Sequence, residues 1–79
     1  MTKILVIEDE ELVRENLLDF LEAEDYQTID ACNGKIGVEL AQKHLPDLII
    51  CDVMMPELDG YGVLEKLSHN SATATIPFL

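Results

Sequence analysis

Basic residues are scarce in this chain. Five lysines and arginines stand against 16 acids, for a formal net charge of −11. A balance of that sign argues against DNA, RNA or an anionic membrane as a direct ligand of this segment. It favours cations and basic protein surfaces instead. Cysteine is scarce too: Cys32 and Cys51 have no metal-like spacing. Cys51 lies inside an apolar run and reads as a small core residue. Nothing marks the chain as secreted, so no disulfide is expected. No apolar run approaches membrane-spanning length. The N-terminus runs straight into a strand-like segment with a single lysine, unlike a leader peptide. The cytoplasm is the expected location. Internal repeats and low-complexity tracts are also missing.

What is present is a pattern built for a core. Hydrophobic residues make up 48% of 79 residues, which argues against disorder and for one small domain. A domain of this size buries a limited share of its surface and is marginally stable without help. Strand and helix patterns alternate. Lys3–Ile7 reads as a strand, and Glu11–Glu24 as a helix with Val13, Leu17, Phe20 and Leu21 on one face. Gln27–Ala31 is a second strand, and Asn33-Gly34 punctuates. A second helix is expected over residues 35–44, with Ile36, Leu40 and Ala41 in register and Pro46 stopping it. Leu48–Asp52 is nearly all apolar, as a strand buried on both faces should be. A loop to Gly60 precedes a short helix, Tyr61–Ser68, presenting Val63, Leu64 and Leu67. Tyr26 and Tyr61 read as partly buried surface aromatics. Ile76–Leu79 looks like the opening of a fourth strand. This βαβαβα order with short connections predicts a parallel sheet with right-handed crossovers. The last apolar run has no helix to cover it, so residues 1–79 are expected to be the N-terminal part of a longer domain.

Two acidic clusters carry the chemistry. Glu8-Asp9 ends the run Ile4–Ile7, and Asp52 ends the run Leu48–Cys51. Parallel strands ending in carboxylates bring those carboxylates to one edge of a sheet, where open α/β folds bind ligands. Three acids there repel one another and call for a cation. A lone aspartate at a strand end is usually a cap or turn residue; its pairing with Glu8-Asp9 and the Met55-Pro56…Asp59-Gly60 loop shifts the reading to a site. Mg²⁺, which takes oxygen ligands in an octahedron and retains waters, suits this set. Ca²⁺ is disfavoured, because the loop after Asp52 lacks the acid spacing of a calcium loop. Glu10 and Glu11 read as helix-start charges that complement the dipole. Asp59-Gly60 reads as a turn, with glycine supplying a conformation other residues resist.

Ile4-Leu5-Val6-Ile7-Glu8-Asp9-Glu10, the Asn33-Gly34 turn, and Pro46-Asp47-Leu48-Ile49-Ile50-Cys51-Asp52-Val53-Met54-Met55-Pro56 with Asp59-Gly60 together resemble the receiver domain of two-component response regulators. Ala74-Thr75-Ile76-Pro77 resembles the family's lead into its fourth strand. The resemblance covers the whole chain. It implies a doubly wound, flavodoxin-like parallel sheet of order 2-1-3-4-5, here truncated after the start of strand four. The end of that strand, the fourth helix, the fifth strand and the fifth helix would then be missing from residues 1–79. It further implies that Asp52 accepts a phosphoryl group from a sensor histidine kinase or a phosphotransfer protein. Mg²⁺ would be held by Glu8 (directly or through water), Asp9, Asp52 and the backbone carbonyl of Met54. The family's hydroxyl residue at the end of strand four and lysine after strand five would lie beyond Leu79; Thr73 and Thr75 precede the strand and do not replace them. Ile36 departs from the family, which has a polar residue at that helix position.

The implied function is a phosphorylation-dependent switch rather than an enzyme. A receiver-like interaction module, not phosphorylated in this truncated form, is the alternative. A phosphohydrolase with an aspartyl-phosphate intermediate would place a second acid two residues after the nucleophile, where this chain has Met54. A truncated sheet with an uncovered apolar edge is expected to self-associate or swap domains.

Overall fold

A computed structural model describes all 79 residues. Strands β1 (Lys3–Ile7), β2 (Gln27–Ala31) and β3 (Leu48–Cys51) alternate with helices α1 (Glu11–Ala23), α2 (Gly34–His44) and α3 (Gly60–Ser68). The strands form one parallel sheet in the order β2-β1-β3. The parallel sheet is what the alternating pattern predicts, and its order matches the first three strands of the flavodoxin-like topology that the resemblance implies. The three strands fall where the sequence reading put them, except that β3 ends at Cys51 and Asp52 leaves the ladder.

Strand alternation sorts the core into two layers. Leu5 and Ile7 of β1 face one side, together with Ala31, Ile49, Cys51, Val38 and Ala41 of α2, and Val63 and Leu67 of α3. Ile4 and Val6 face the other side and meet Leu17, Leu18 and Leu21 of α1. So α1 covers one face, and α2 and α3 cover the other. The central strand β1 is buried on both faces from Ile4 onward.

Helix boundaries follow from local chemistry. Asn33 caps α2 by accepting from the Ile36 amide at 2.8 Å, which starts the helix at Gly34. Leu45 adopts a left-handed conformation and Pro46 follows, ending it. Asp59 caps α3 by accepting from the Gly62 amide at 2.9 Å. At the far end of α3 the buried Thr73 hydroxyl donates to the Leu67 carbonyl at 2.7 Å, adding to the longer bond that carbonyl takes from the Asn70 amide at 3.3 Å. Residues 76–79 lie parallel to the outer edge of β3. The Ile49 amide donates to Pro77 at 2.9 Å, and the Leu79 amide donates to Ile49 at 2.8 Å. The expected opening of a fourth strand is in place.

Several side chains depart from expectation. On α1 the inward face is Arg14, Leu17, Leu18 and Leu21, while Val13 is 41% and Phe20 64% exposed. The long apolar stem of Arg14 takes a face position that a count of hydrophobes assigns to Val13. On α2 the inward face is Gly34, Gly37, Val38 and Ala41, which leaves Ile36 outside. Gly37 sits there because a Cβ would come within 2.4 Å of Ile7 Cδ1, so α2 packs closely on β1. On α3, Val63 and Leu67 are buried but Leu64 is exposed, and Tyr61 is exposed rather than partly buried.

Candidate functional site

The β1–β3 register pairs Ile7 with Cys51, so the residues that follow, Glu8 and Asp52, leave the sheet side by side. The backbone reinforces this: the Asp52 amide donates to the Ile7 carbonyl at 3.0 Å, and the Glu8 amide to the Ala31 carbonyl at 3.1 Å. The outcome is one acidic cluster. Carboxylate oxygens of Glu8, Asp9 and Asp52 all lie within 4.8 Å of one another. Glu8 is 8% exposed, Asp52 is half-buried and Asp9 is open to solvent. Burial, followed by the charges of Asp52 and Asp9, pushes the Glu8 carboxyl above the ordinary carboxylate range. The Glu10 amide, donating to Glu8 Oε2 at 3.1 Å, pulls the other way.

The Asp52 carboxylate takes a single bond from the chain, a long one of 3.4 Å from the Met54 amide to Oδ1. Its Oδ2 accepts no protein hydrogen bond. The Met54 side chain is 81% exposed and takes no part in packing, whereas Met55 is buried. The loop carrying Met54 is closed by the Gly60 amide on the Val53 carbonyl at 2.9 Å. Gly60 is required there for proximity and not for an unusual backbone angle, since no glycine has positive φ. A Cβ at Gly60 would stand 2.7 Å from the Asp52 carbonyl oxygen. The left-handed residue of this loop is Glu57, at φ 68. Asp59-Gly60 is thus a helix start rather than a free turn.

Glu10 precedes α1 without capping it through its side chain, and Glu11 opens the helix. Cys51 is buried beside the cluster. Burial and then the charges of Asp52, Glu8 and Asp59 push its thiol up to about 11, so it is not a competing nucleophile at neutral pH. Cys32 is exposed and also free. Arg14 is the residue that periodicity did not single out. Its Nη1 donates to the Glu8 carbonyl at 2.9 Å, and its Nε stands 3.3 Å from Asp30 Oδ2 on β2. Its partners are separated from it by 6 and 16 positions, so no local pattern points to them.

An acidic pocket of hard oxygen donors can bind a small divalent cation, and a half-buried carboxylate beside it can act as a nucleophile once that cation offsets its neighbours' charge. No helix is long and apolar enough to cross a membrane. The sequence model of the response regulator receiver domain matches residues 4–79. The polar-differentiation response regulator DivK of Brucella anthropi is 36% identical over 76 residues, covering 96% of this chain and 62% of that protein. The probable transcriptional regulator ycf27 of Porphyra purpurea is 44% identical over 69 residues, covering 87% of this chain and 28% of its own length. Among solved structures, the N-terminal domain of a response regulator receiver protein from Methanoculleus marisnigri JR1 superposes with a TM-score of 0.94 at 32% identity. That match covers 99% of this chain and 63% of that one. The chain therefore spans less than two thirds of these relatives' length.

Proposed function

Because this chain belongs to the response regulator receiver domain family of two-component systems, we propose that Asp52 is its phosphoacceptor, charged by the phosphohistidine of a sensor kinase or a phosphotransfer protein. The observation that carries this reading is the convergence of Glu8, Asp9 and Asp52 oxygens within 4.8 Å at the ends of adjacent parallel strands. Such a set is costly to hold together unless a cation joins it. Its donors are all hard oxygens, which fit Mg²⁺. Glu8, Asp9, Asp52 and the carbonyl of Met54 would hold that ion, and when bound it would offset charge on the transferring phosphoryl oxygens.

The chain's own residues supply the rest. Asp52 is half-buried, so its carboxylate is reachable from solvent while its backbone is fixed to β1 through Ile7. The Met54 amide engages Oδ1 and leaves Oδ2 free, which makes Oδ2 the oxygen to attack phosphorus. The new O–P bond gives an acyl phosphate; the P–N bond of the donor breaks, and the imidazole keeps the electron pair. Glu8 is oriented through the Glu10 amide on its Oε2. Nothing favours a hydrolase, since an exposed methionine stands where that chemistry needs a second acid.

The test is incorporation of phosphate from a small acyl phosphate donor in the presence of Mg²⁺, read by intact mass. The wild-type protein should gain one phosphoryl group, and D52N should gain none. Label on D52N, or Mg²⁺-independent labelling of the wild type, overturns the assignment.

A further inference from the structure

Arg14 is one of five cations in a chain with 16 acids, yet its side chain is only 15% exposed and turned into the fold. Its guanidinium joins three elements: α1, which carries it; the end of β1, through the Glu8 carbonyl at 2.9 Å; and β2, through Asp30 at 3.3 Å. The bond to Glu8 has the larger consequence. Glu8 lies outside every helix and strand, and no backbone amide donates to its carbonyl. Arg14 is therefore that carbonyl's only protein donor. The Glu8 carbonyl and the Asp9 amide belong to one planar peptide unit. The side chains of Glu8 and Asp9 both hang from that unit, one at each end. The Glu8 amide is already held by the Ala31 carbonyl, so holding the Glu8 carbonyl fixes the ψ of Glu8 and with it the place of Asp9. Turning about that bond would move the Asp9 carboxylate relative to those of Glu8 and Asp52, and Arg14 opposes that turn.

Resting on the magnesium reading above, the geometry points to Arg14 as a positioning residue that sets the pocket's preference among divalent cations. Mg²⁺ demands near-ideal octahedral geometry at short distances, whereas Ca²⁺ accepts six to eight oxygens in a looser shell. A locked Glu8–Asp9 peptide therefore favours Mg²⁺, and an unlocked one gives up Mg²⁺ affinity before Ca²⁺ affinity. The charge of Arg14 works differently. It repels both divalent ions alike, so removing it raises both affinities together and drops out of their ratio. The Mg²⁺-to-Ca²⁺ affinity ratio thus isolates positioning from charge, and from any general loss of stability.

The experiment is calorimetric titration of MgCl₂ and, separately, CaCl₂ into the full-length protein as wild type, R14M, R14K and D30N. In R14M the Mg²⁺-to-Ca²⁺ ratio should fall about tenfold, the scale on which groups that orient metal ligands act. D30N removes the β2 partner but keeps the bond to the Glu8 carbonyl, so its ratio should match the wild type. R14K keeps the charge but lacks the planar fork, and its ratio should fall between the two. A folded R14M with the wild-type ratio overturns the inference, as does a D30N ratio that falls as far as that of R14M. If circular dichroism finds R14M unfolded, R14K decides: a ratio below wild type supports the role and an unchanged ratio overturns it. Wild-type protein that binds no Mg²⁺ overturns the magnesium reading itself, and this inference with it.

Discussion

Replacing Glu8 by glutamine should make the metal-free protein more stable and its magnesium complex weaker. Glu8 is 8% exposed and has a carboxylate oxygen within 4.8 Å of oxygens on Asp9 and Asp52. Two unit charges at that separation repel by about 1 kcal/mol in water-like surroundings and by about 3.5 kcal/mol at an effective dielectric of 20. Asp9 is exposed and Asp52 half-exposed, so solvent screening selects the lower figure for each pair. The two pairs together cost about 2 kcal/mol. Glutamine removes that repulsion and still offers an oxygen to the Glu10 amide, now 3.1 Å from Glu8 Oε2. In a domain of this size about 1 kcal/mol moves Tm by 4–8 °C, so E8Q should melt roughly 10 °C higher in EDTA at neutral pH. The folded protein raises the Glu8 carboxyl above its reference value of 4.5, chiefly by burial. The stability tied to that group is complete below pH 4.5 and is lost as pH rises through the folded value. The advantage of E8Q should therefore shrink as the medium is acidified through that window. Mg²⁺ acts in the opposite direction, adding about 2.7 kcal/mol to the wild type at a hundredfold excess over Kd. Thermal unfolding followed by circular dichroism, with EDTA or with millimolar Mg²⁺, reads both effects. The reasoning is refuted if E8Q in EDTA melts no higher than the wild type, or if Mg²⁺ raises both Tm values equally.

Gly60→Ala should lower stability by about 1–3 kcal/mol, because the new Cβ would stand 2.7 Å from the Asp52 carbonyl oxygen and 3.0 Å from Val53 Cα, both backbone. Gly62→Ala should be nearly neutral: its Cβ meets the mobile end of Leu58 at 2.5 Å, and the gain in helix propensity of about 1 kcal/mol offsets the adjustment. Equal urea midpoints for the two variants would sink this distinction. In the folded protein a neutral alkylating reagent should label the exposed Cys32 and spare Cys51, whose buried thiol is pushed up to about 11. Peptide mass mapping that finds both cysteines labelled at similar rates contradicts that.

The fold was legible because its signals are strong and local. Apolar runs marked β1 and β3, and parallel pairing of the two then put Glu8 and Asp52 at neighbouring strand ends. The acidic cluster was readable for the same reason: its members follow directly from where two adjacent strands stop. What periodicity handled poorly was the face of each helix. Val13 and Phe20 share a stripe with Leu17 by spacing alone, yet the buried stripe is the one that includes Arg14. A hydrophobe count scores arginine as polar throughout, although its stem packs as an aliphatic chain. Gly60 was readable as a special position, but the reason came from tertiary structure: the close approach of the Asp52 carbonyl, with no strained φ. Arg14 itself was not readable as a site residue, since its partners are brought to it only by the packing of α1 against β1 and β2.

The two walls of the pocket are held by different means, and this bears on which residues govern its geometry. Glu8 and Asp9 extend from β1, the central strand, whose residues from Ile4 to Ile7 are at most 2% exposed. Their junction is fixed by the Glu8 amide on Ala31 and by Arg14 on the Glu8 carbonyl. The opposite wall, residues 53–59, belongs to no helix or strand and exposes Val53 and Met54. It is tied at its ends, by the Gly60 amide on Val53 and by the Asp59 cap on α3, and along its length by the buried Met55 and by Leu58 packed on the core. Backbone that is paired inside a sheet opens far less readily than loop backbone with few partners. Asp52 stands at the seam, its amide fixed to the Ile7 carbonyl and its carboxylate engaged only by the loop at Met54. On the proposed reading, a cation shared by the three carboxylates would take its geometry from the β1 side, whose backbone is paired in the sheet. That is why the half-buried Arg14 behind β1, rather than Val53 or Met54 of the loop, is the side chain to alter when asking what the pocket prefers.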